Sequence, residues 1–278
     1  MHPTSLEQRG QHRATALDQQ AHHTQSPQLR KEPIQVDAVV AFGSLDHCHP
    51  LSQGGHPLRI GRRAHHQQWC AHAHRHRKQC QATTQHLAAL ADAMKQEYET
   101  IIAAGLDLQL DCPDLALSRH MLFTDMSDDE FLKVAATHVE ALNHALSDVP
   151  EDRVRIHICW GNYEGPHVCD IPMAKMFDTL MSAKARYVLF ETSNPRHGHE
   201  WTVFRDRKAD IPDTKVLVPG VVDTTTNFVE HPVLVAQRIE RFVDIVGHER
   251  VIAGSDCGFG TFAGFGTVDP NIAYAKLS

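Results

Sequence analysis

At 278 residues the chain is long enough to bury a sizeable core. Its 27 Lys+Arg against 34 Asp+Glu give a formal net charge of −7, which argues against nucleic acid or an anionic membrane surface as its main partner. No apolar run reaches the roughly 18 residues of a transmembrane helix, and the first residues lack an apolar h-region, so neither a membrane span nor a secretory leader is expected.

The averages conceal a change of character near residue 80. Residues 1–80 hold 12 of the 22 His and carry a net +5, while residues 81–278 carry −12. The chain has seven Cys, an odd number in a chain that is no short secreted scaffold. Reduced thiols and a cytoplasmic setting are therefore expected. Residues 1–83 are read as an atypical His/Gln/Arg-rich segment, poorly ordered, in which only Ile34 to Phe42 reads as a strand. The tract Cys70 to His76 offers metal donors only adventitiously. The composition here suggests a shifted reading frame or misassembled gene end; protein-level sequencing from the native source that finds Met1 as the N-terminus rejects that expectation.

From Thr84 onward strands and helices alternate. Leu87, Leu90, Met94, Tyr98, Ile101 and Ile102 recur at helical spacing, with Gly105 as the stop. Leu106 to Leu110 is a short strand ending at Asp111, and Ser127-Asp128-Asp129-Glu130 is a capping box that opens a helix to about Leu146. Strand 154–158, a helix near Ile171 to Ala183 and strand 187–190 follow, then a long polar loop to about 213. Val216 to Val218 is a strand ending at Asp223, Pro232 opens a helix to Val246, and Val251 to Ala253 is the last strand. Repeated β-α-β units with short apolar strands imply a parallel sheet. The unusual polar residues gather at strand ends, which fits an α/β (β/α)8 TIM barrel with its site on the C-terminal face. Five βα units are recognisable over residues 84–278, so the barrel reads as incomplete.

One group of strand-end residues points to metal chemistry. His157 and Cys159 lie two apart at the end of a strand, so imidazole and thiol face one way. Glu191 and Cys257 end two later strands. One His, two Cys and one Glu make a tetrahedral zinc set, and their spread over three strands suits a chemical site rather than a zinc finger. The loop 194–200 (Asn-Pro-Arg-His-Gly-His-Glu) directly follows Glu191, with Arg196 and His199 as candidate substrate contacts.

The stretches LQLDCPDLA (108–116), HICWGN (157–162), FETSNPRHGHEW (190–201), PGVVD (219–223) and GSDCGFGTF (254–262), in this order, resemble the C-terminal catalytic barrel of the cobalamin-independent methionine synthase family, and its short stand-alone relatives most. The resemblance implies Zn2+ held by His157, Cys159, Glu191 and Cys257, and a substrate amino group met by Asp111. It implies a small-molecule thiol such as homocysteine and a methyl donor, 5-methyltetrahydrofolate, as partners, with methyl transfer in methionine biosynthesis as the activity. Three departures stand out. The family's G-S-x-P motif has at best a shadow in Gly43-Ser44-Leu45-Asp46, and a second-strand glutamate is missing. Thr225 stands where the family has its proton-donor histidine, leaving Asp223 and His231 as the candidate catalytic groups. Zinc-dependent thiol alkylation of the epoxide:coenzyme M type, or an inactive truncated barrel, are the competing expectations. The oligomeric state has no sequence signal.

Overall fold

The structure, a computed structural model, describes residues 38–41, 84–260 and 268–278. Apart from 38–41, the segment 1–83, with its 70–76 tract and the Gly43-Ser44 shadow, falls outside the described residues. Six strands form one parallel sheet in the order of the sequence: β1 (Ala38–Ala41), β2 (Leu108–Cys112), β3 (Val154–Ile158), β4 (Tyr187–Phe190), β5 (Val216–Val222) and β6 (Gly254–Ser255). A parallel sheet whose strands are neighbours in strict chain order is wound in one direction only, which is the winding of a (β/α)8 barrel and not of a doubly wound sheet. Six strands among the described residues make up part of such a barrel.

The five strands expected over residues 84–278 are present, and the stretch before residue 84 that reads as a strand adds a sixth. The apolar stretch around Ala38 read as a strand but had no recognisable βα unit around it; its ladder is made with β2, where Ala38 to Ala41 pair with Leu108 to Asp111. The last strand also moves. Val251 makes only an isolated bridge to Leu217, and the ladder resumes at Gly254–Ser255 after a register shift between Gly220 and Val222 of β5.

The helices are α1 (Thr84–Ala103), α2 (Leu117–Met121), α3 (Asp128–Ala145), α4 (Met173–Met181), α5 (Trp201–Asp206), α6 (Pro232–Val246) and α7 (Pro270–Leu277). The predicted capping box opens α3: Ser127 Oγ accepts from Glu130 N, while the Glu130 carboxylate accepts from Ser127 N at 2.8 Å. Gly105 and Gly247 follow α1 and α6 at φ +87° and +83°, conformations that L side chains rarely adopt. The expected polar loop before β5 holds α5, six residues whose polar and aromatic composition gave no helical stripe.

Burial divides the strands into two faces. In β2 and β4 the helix-facing residues Leu108, Leu110, Cys112, Val188 and Phe190 are buried, while Gln109, Asp111, Tyr187 and Leu189 are half-exposed. The helix side is close-packed. Phe204 of α5 stacks on Phe190 with ring centroids 4.3 Å apart and meets Phe177 of α4 and Phe242 of α6 edge-on at 5.7 and 5.6 Å. At the opposite end of the sheet the buried Lys215 ammonium donates to Glu151 Oε1, Ala183 O and Ala185 O at 2.6–2.7 Å. Its three protons thus meet three acceptors, the condition for burying an amine. Phe204→Ala should cost about 3–5 kcal/mol, read as a lower urea midpoint at unchanged slope.

Candidate metal centre

Parallel register assembles the site. Asp111 of β2 pairs with His157 of β3, and His157 with Leu189 of β4, so their side chains share one face. Cys159 and Glu191, two residues beyond, continue that face, and Cys257 arrives just after β6. One donor atom each from His157, Cys159 and Cys257 lies within 4.8 Å of the others. The two sulfurs are 3.9 Å apart. Two thiolates at about 2.3 Å from a tetrahedral zinc stand about 3.8 Å from each other, and a soft donor set of two thiols and one imidazole suits that ion. The residues present therefore fit zinc.

Hydrogen bonds hold the group together. Burial favours neutral His157, but the Asp111 carboxylate 2.9 Å from Nδ1 and the nearby Cys257 outweigh it and push its pKa up to about 9. The second ring nitrogen, Nε2, is 3.2 Å from Asp256 O. The contact between the thiols splits their acidities: it pulls Cys257 down, helped by His157, and pushes Cys159 well up, with burial adding to the rise. These shifts make Cys257 the more acidic thiol of the pair and Cys159 the weaker acid. Asp111, by accepting from Nδ1, fixes the ring so that Nε2 is the nitrogen left for a metal.

Glu191, the fourth expected ligand, stands outside the three-residue group. Its Oε1 accepts from Trp160 N at 2.9 Å; its Oε2 accepts from Asn194 Nδ2 at 2.8 Å and lies 3.4 Å from Arg196 Nη2. It is close enough for its charge to raise both His157 and Cys159. Its own pKa is raised, by burial first and by Asp256 second.

The other candidates fall into place around these four. Arg196 also donates from Nη2 to Gly161 O at 3.1 Å, so it braces the loop after β3 against the loop after β4. His199 is exposed, and its carbonyl accepts from Thr202 Oγ1 at 3.0 Å at the start of α5. Its neighbours His197 and Glu200 bond each other at 2.8 Å, and Glu200 Oε1 accepts from Met173 N at the start of α4. Asp223 is buried, and its carboxylate accepts from Thr225 N, Thr225 Oγ1 and Thr226 Oγ1 at 2.8–3.1 Å. His231 is exposed and caps α6, its Nδ1 accepting from Val233 N at 3.2 Å. Cys112 is buried on the helix side, and Cys169 is half-buried outside the group.

Two participants carried little sequence signal. Asn162 donates to Gly258 O at 2.5 Å and accepts from Thr224 Oγ1 at 2.7 Å, tying three strand ends together. Asp256, beside Cys257, accepts four N–H groups from the loop after β4. Only the adjacency of Asp256 to a ligand hinted at its role.

Metal uptake must expel the protons its ligands carry, the imidazolium proton of His157 among them. Zinc affinity, measured by competition with a chromophoric chelator, should therefore climb more steeply below about pH 9 than above it. The slope of log affinity against pH should drop by about one proton there, because above that pH His157 is already neutral.

Comparison with known proteins places this geometry. Residues 67–269 match the family described as cobalamin-independent synthase, catalytic domain. A curated relative, the 2-hydroxypropyl-CoM lyase of Xanthobacter autotrophicus, is 23% identical over 194 residues, 61% of this chain and 48% of that protein. Among solved structures, a B12-independent methionine synthase from Shewanella sp. W3-18-1, in complex with selenomethionine, has a TM-score of 0.52 at 16% identity, covering 71% of this chain and 53% of that one. The chain spans about half the length of each of these proteins, and the structural likeness bears on the fold alone. The family match takes in five of the six strands and every candidate ligand, and the chain belongs to the family of cobalamin-independent synthase catalytic domains.

Proposed function

We propose that the chain catalyses zinc-dependent methyl transfer to a small-molecule thiol, with homocysteine as acceptor and 5-methyltetrahydrofolate as donor. The observation that carries this reading is the convergence of one ring nitrogen of His157, Cys159 Sγ and Cys257 Sγ within 4.8 Å at the strand ends of the barrel's C-terminal face. These three residues would hold the ion, with Glu191 in electrostatic reach as the fourth. Zinc in such a site supplies a deprotonated thiol at neutral pH, since a coordinated thiol loses its proton.

The chain's own residues do the rest. Asp111 keeps His157 oriented through Nδ1 and presents a half-exposed carboxylate on the same open face, where a substrate ammonium would find a counter-charge. The reaction forms a carbon–sulfur bond and breaks the carbon–nitrogen bond of the donor, whose electron pair stays on nitrogen and needs a proton. Asp223 and His231 remain the candidates for holding that proton. Asp223 is the better placed of the two, because it ends β5 beside the Asn162–Thr224 bridge to the site loops, whereas His231 is engaged in capping α6.

A second reading, alkyl transfer between coenzyme M and an epoxide-derived group, is favoured by the likeness to the 2-hydroxypropyl-CoM lyase. It shares the donor group and differs only in what sits over the open face.

Elemental analysis of purified protein should find about one zinc per chain that Cys257→Ser and Cys159→Ser abolish, whatever metal the His-rich residues before 81 hold in addition. Turnover with homocysteine and methyl-folate then supports the first reading; turnover only with coenzyme M and an epoxide supports the second. Zinc equal in the wild type and both variants rejects both.

A further inference from the structure

We infer that Asp256 is a positioning residue: its carboxylate clamps the loop after β4, and through it Glu191, against the His157–Cys159–Cys257 group. This inference rests on the metal reading above. Asp256 Oδ1 accepts from the backbone N–H groups of Thr192 and Ser193, each at 2.9 Å. Oδ2 accepts from Asn194 N at 2.8 Å and Asn194 Nδ2 at 2.9 Å. Three successive backbone donors and one side-chain donor thus converge on a single buried carboxylate. The Asn194 amide is shared: the same Nδ2 donates to Glu191 Oε2 at 2.8 Å. The orientation of Glu191 therefore follows from where Asp256 holds Asn194.

The backbone of Asp256 extends the clamp to two further strands. Its N–H donates to Val222 O of β5 at 3.0 Å, and its carbonyl is 3.2 Å from His157 Nε2 of β3. Gly220 makes room for it. A Cβ at residue 220 would stand 2.6 Å from Asp256 Cα and 2.8 Å from Asp256 N, and closer still to its carboxylate. Only glycine lets β5 and the Asp256 turn approach this closely. Thr192 Oγ1 closes the junction by donating to Gly220 O at 2.7 Å. A turn residue of purely local importance would satisfy its own backbone; here one side chain satisfies the loop after β4, across the intervening β5.

Two substitutions disturb the clamp by unrelated routes. Asp256→Asn sets an amide N–H2 against two of the four donors. Gly220→Ala leaves the carboxylate chemistry intact and displaces it. Both variants should still melt cooperatively; hydrogen exchange in the peptide spanning 191–197 should speed up; and zinc affinity, corrected for the zinc kept by Cys257→Ser, should fall about 10- to 100-fold. Because both remove the same interaction, the double variant should be no worse than the worse single one. If Asp256→Asn does not fold, Gly220→Ala alone decides. Faster exchange with zinc affinity unchanged overturns the inference, leaving Asp256 a fold element only. Additive losses in the double variant also overturn it. A wild type without site-specific zinc sinks the functional reading instead, and the clamp is then judged on exchange: unchanged exchange in both variants overturns it.

Discussion

Parallel register is the constraint from which the rest of the structure follows. In a parallel ladder, residues that pair across strands point to the same face. The pairs Asp111–His157 and His157–Leu189 therefore set carboxylate, imidazole and the approach to Glu191 in one row. A slip of one residue in β3 would turn His157 and Cys159 into the helix layer and leave Ile156 and Ile158 facing the open side. The apolar helix-facing residues prevent that slip. Val154, Ile156 and Ile158 are fully buried against the helices, so hydrophobic burial on one face specifies chemistry on the other.

The charges on that row are mutually dependent. His157 in isolation would be driven neutral by burial; between Asp111 and Cys257 it is driven the other way. Cys257 is made acidic by Cys159 and His157, and Cys159 is made correspondingly weak as an acid. The group is thus a net of hydrogen bonds that holds the three candidate donor atoms together. A buried polar network of this kind is tolerable only when its members are satisfied. Glu191 shows the same logic, since its two oxygens accept from the Trp160 amide and the Asn194 side chain.

Much of this was legible in the residues, and what was not has identifiable causes. Short apolar strands ending in polar or glycine residues announced β2 to β5, and the two-residue periodicity of a strand placed His157 and Cys159 together before any coordinates. Ser127 and Glu130 carried their own signature as a capping box. The direction of the Glu191 carboxylate was not legible, because it is set by a backbone N–H of another strand's loop and by a residue three positions on. Nor was the role of Asp256. Its partners are mostly backbone amides, which have no letter in a sequence, and a turn aspartate looks the same whether it holds its own turn or a neighbour's. Helix α5 escaped because six residues are too few to show a period, and it is held by Phe204 packing on Phe190, Phe177 and Phe242. The place of β1 beside β2 is likewise a pairing fact, invisible in the letters of Ala38 to Ala41.

The two proposed chemistries demand the same donor group and differ in what lies above it, and the structure separates these two tasks physically. Everything that holds the donors is packed or multiply bonded: the phenylalanine cluster behind β4, the Asn162 bridge, the four-donor clamp on Asp256. The half-exposed side chains Gln109, Asp111, Tyr187 and Leu189 line the open face in front of them. The neighbouring Arg155, one row below His157, has its guanidinium 5.6 Å over the Tyr187 ring. Substitution on that open face changes what is recognised at small cost to stability, because few contacts are lost there. Substitution behind it changes whether the donors converge at all. Under the proposed methyl-transfer reading, Thr225 lies on the changeable side of this division. Thr225 donates to Asp223 of its own turn, apart from the bonds that hold His157, Cys159 and Cys257 in place.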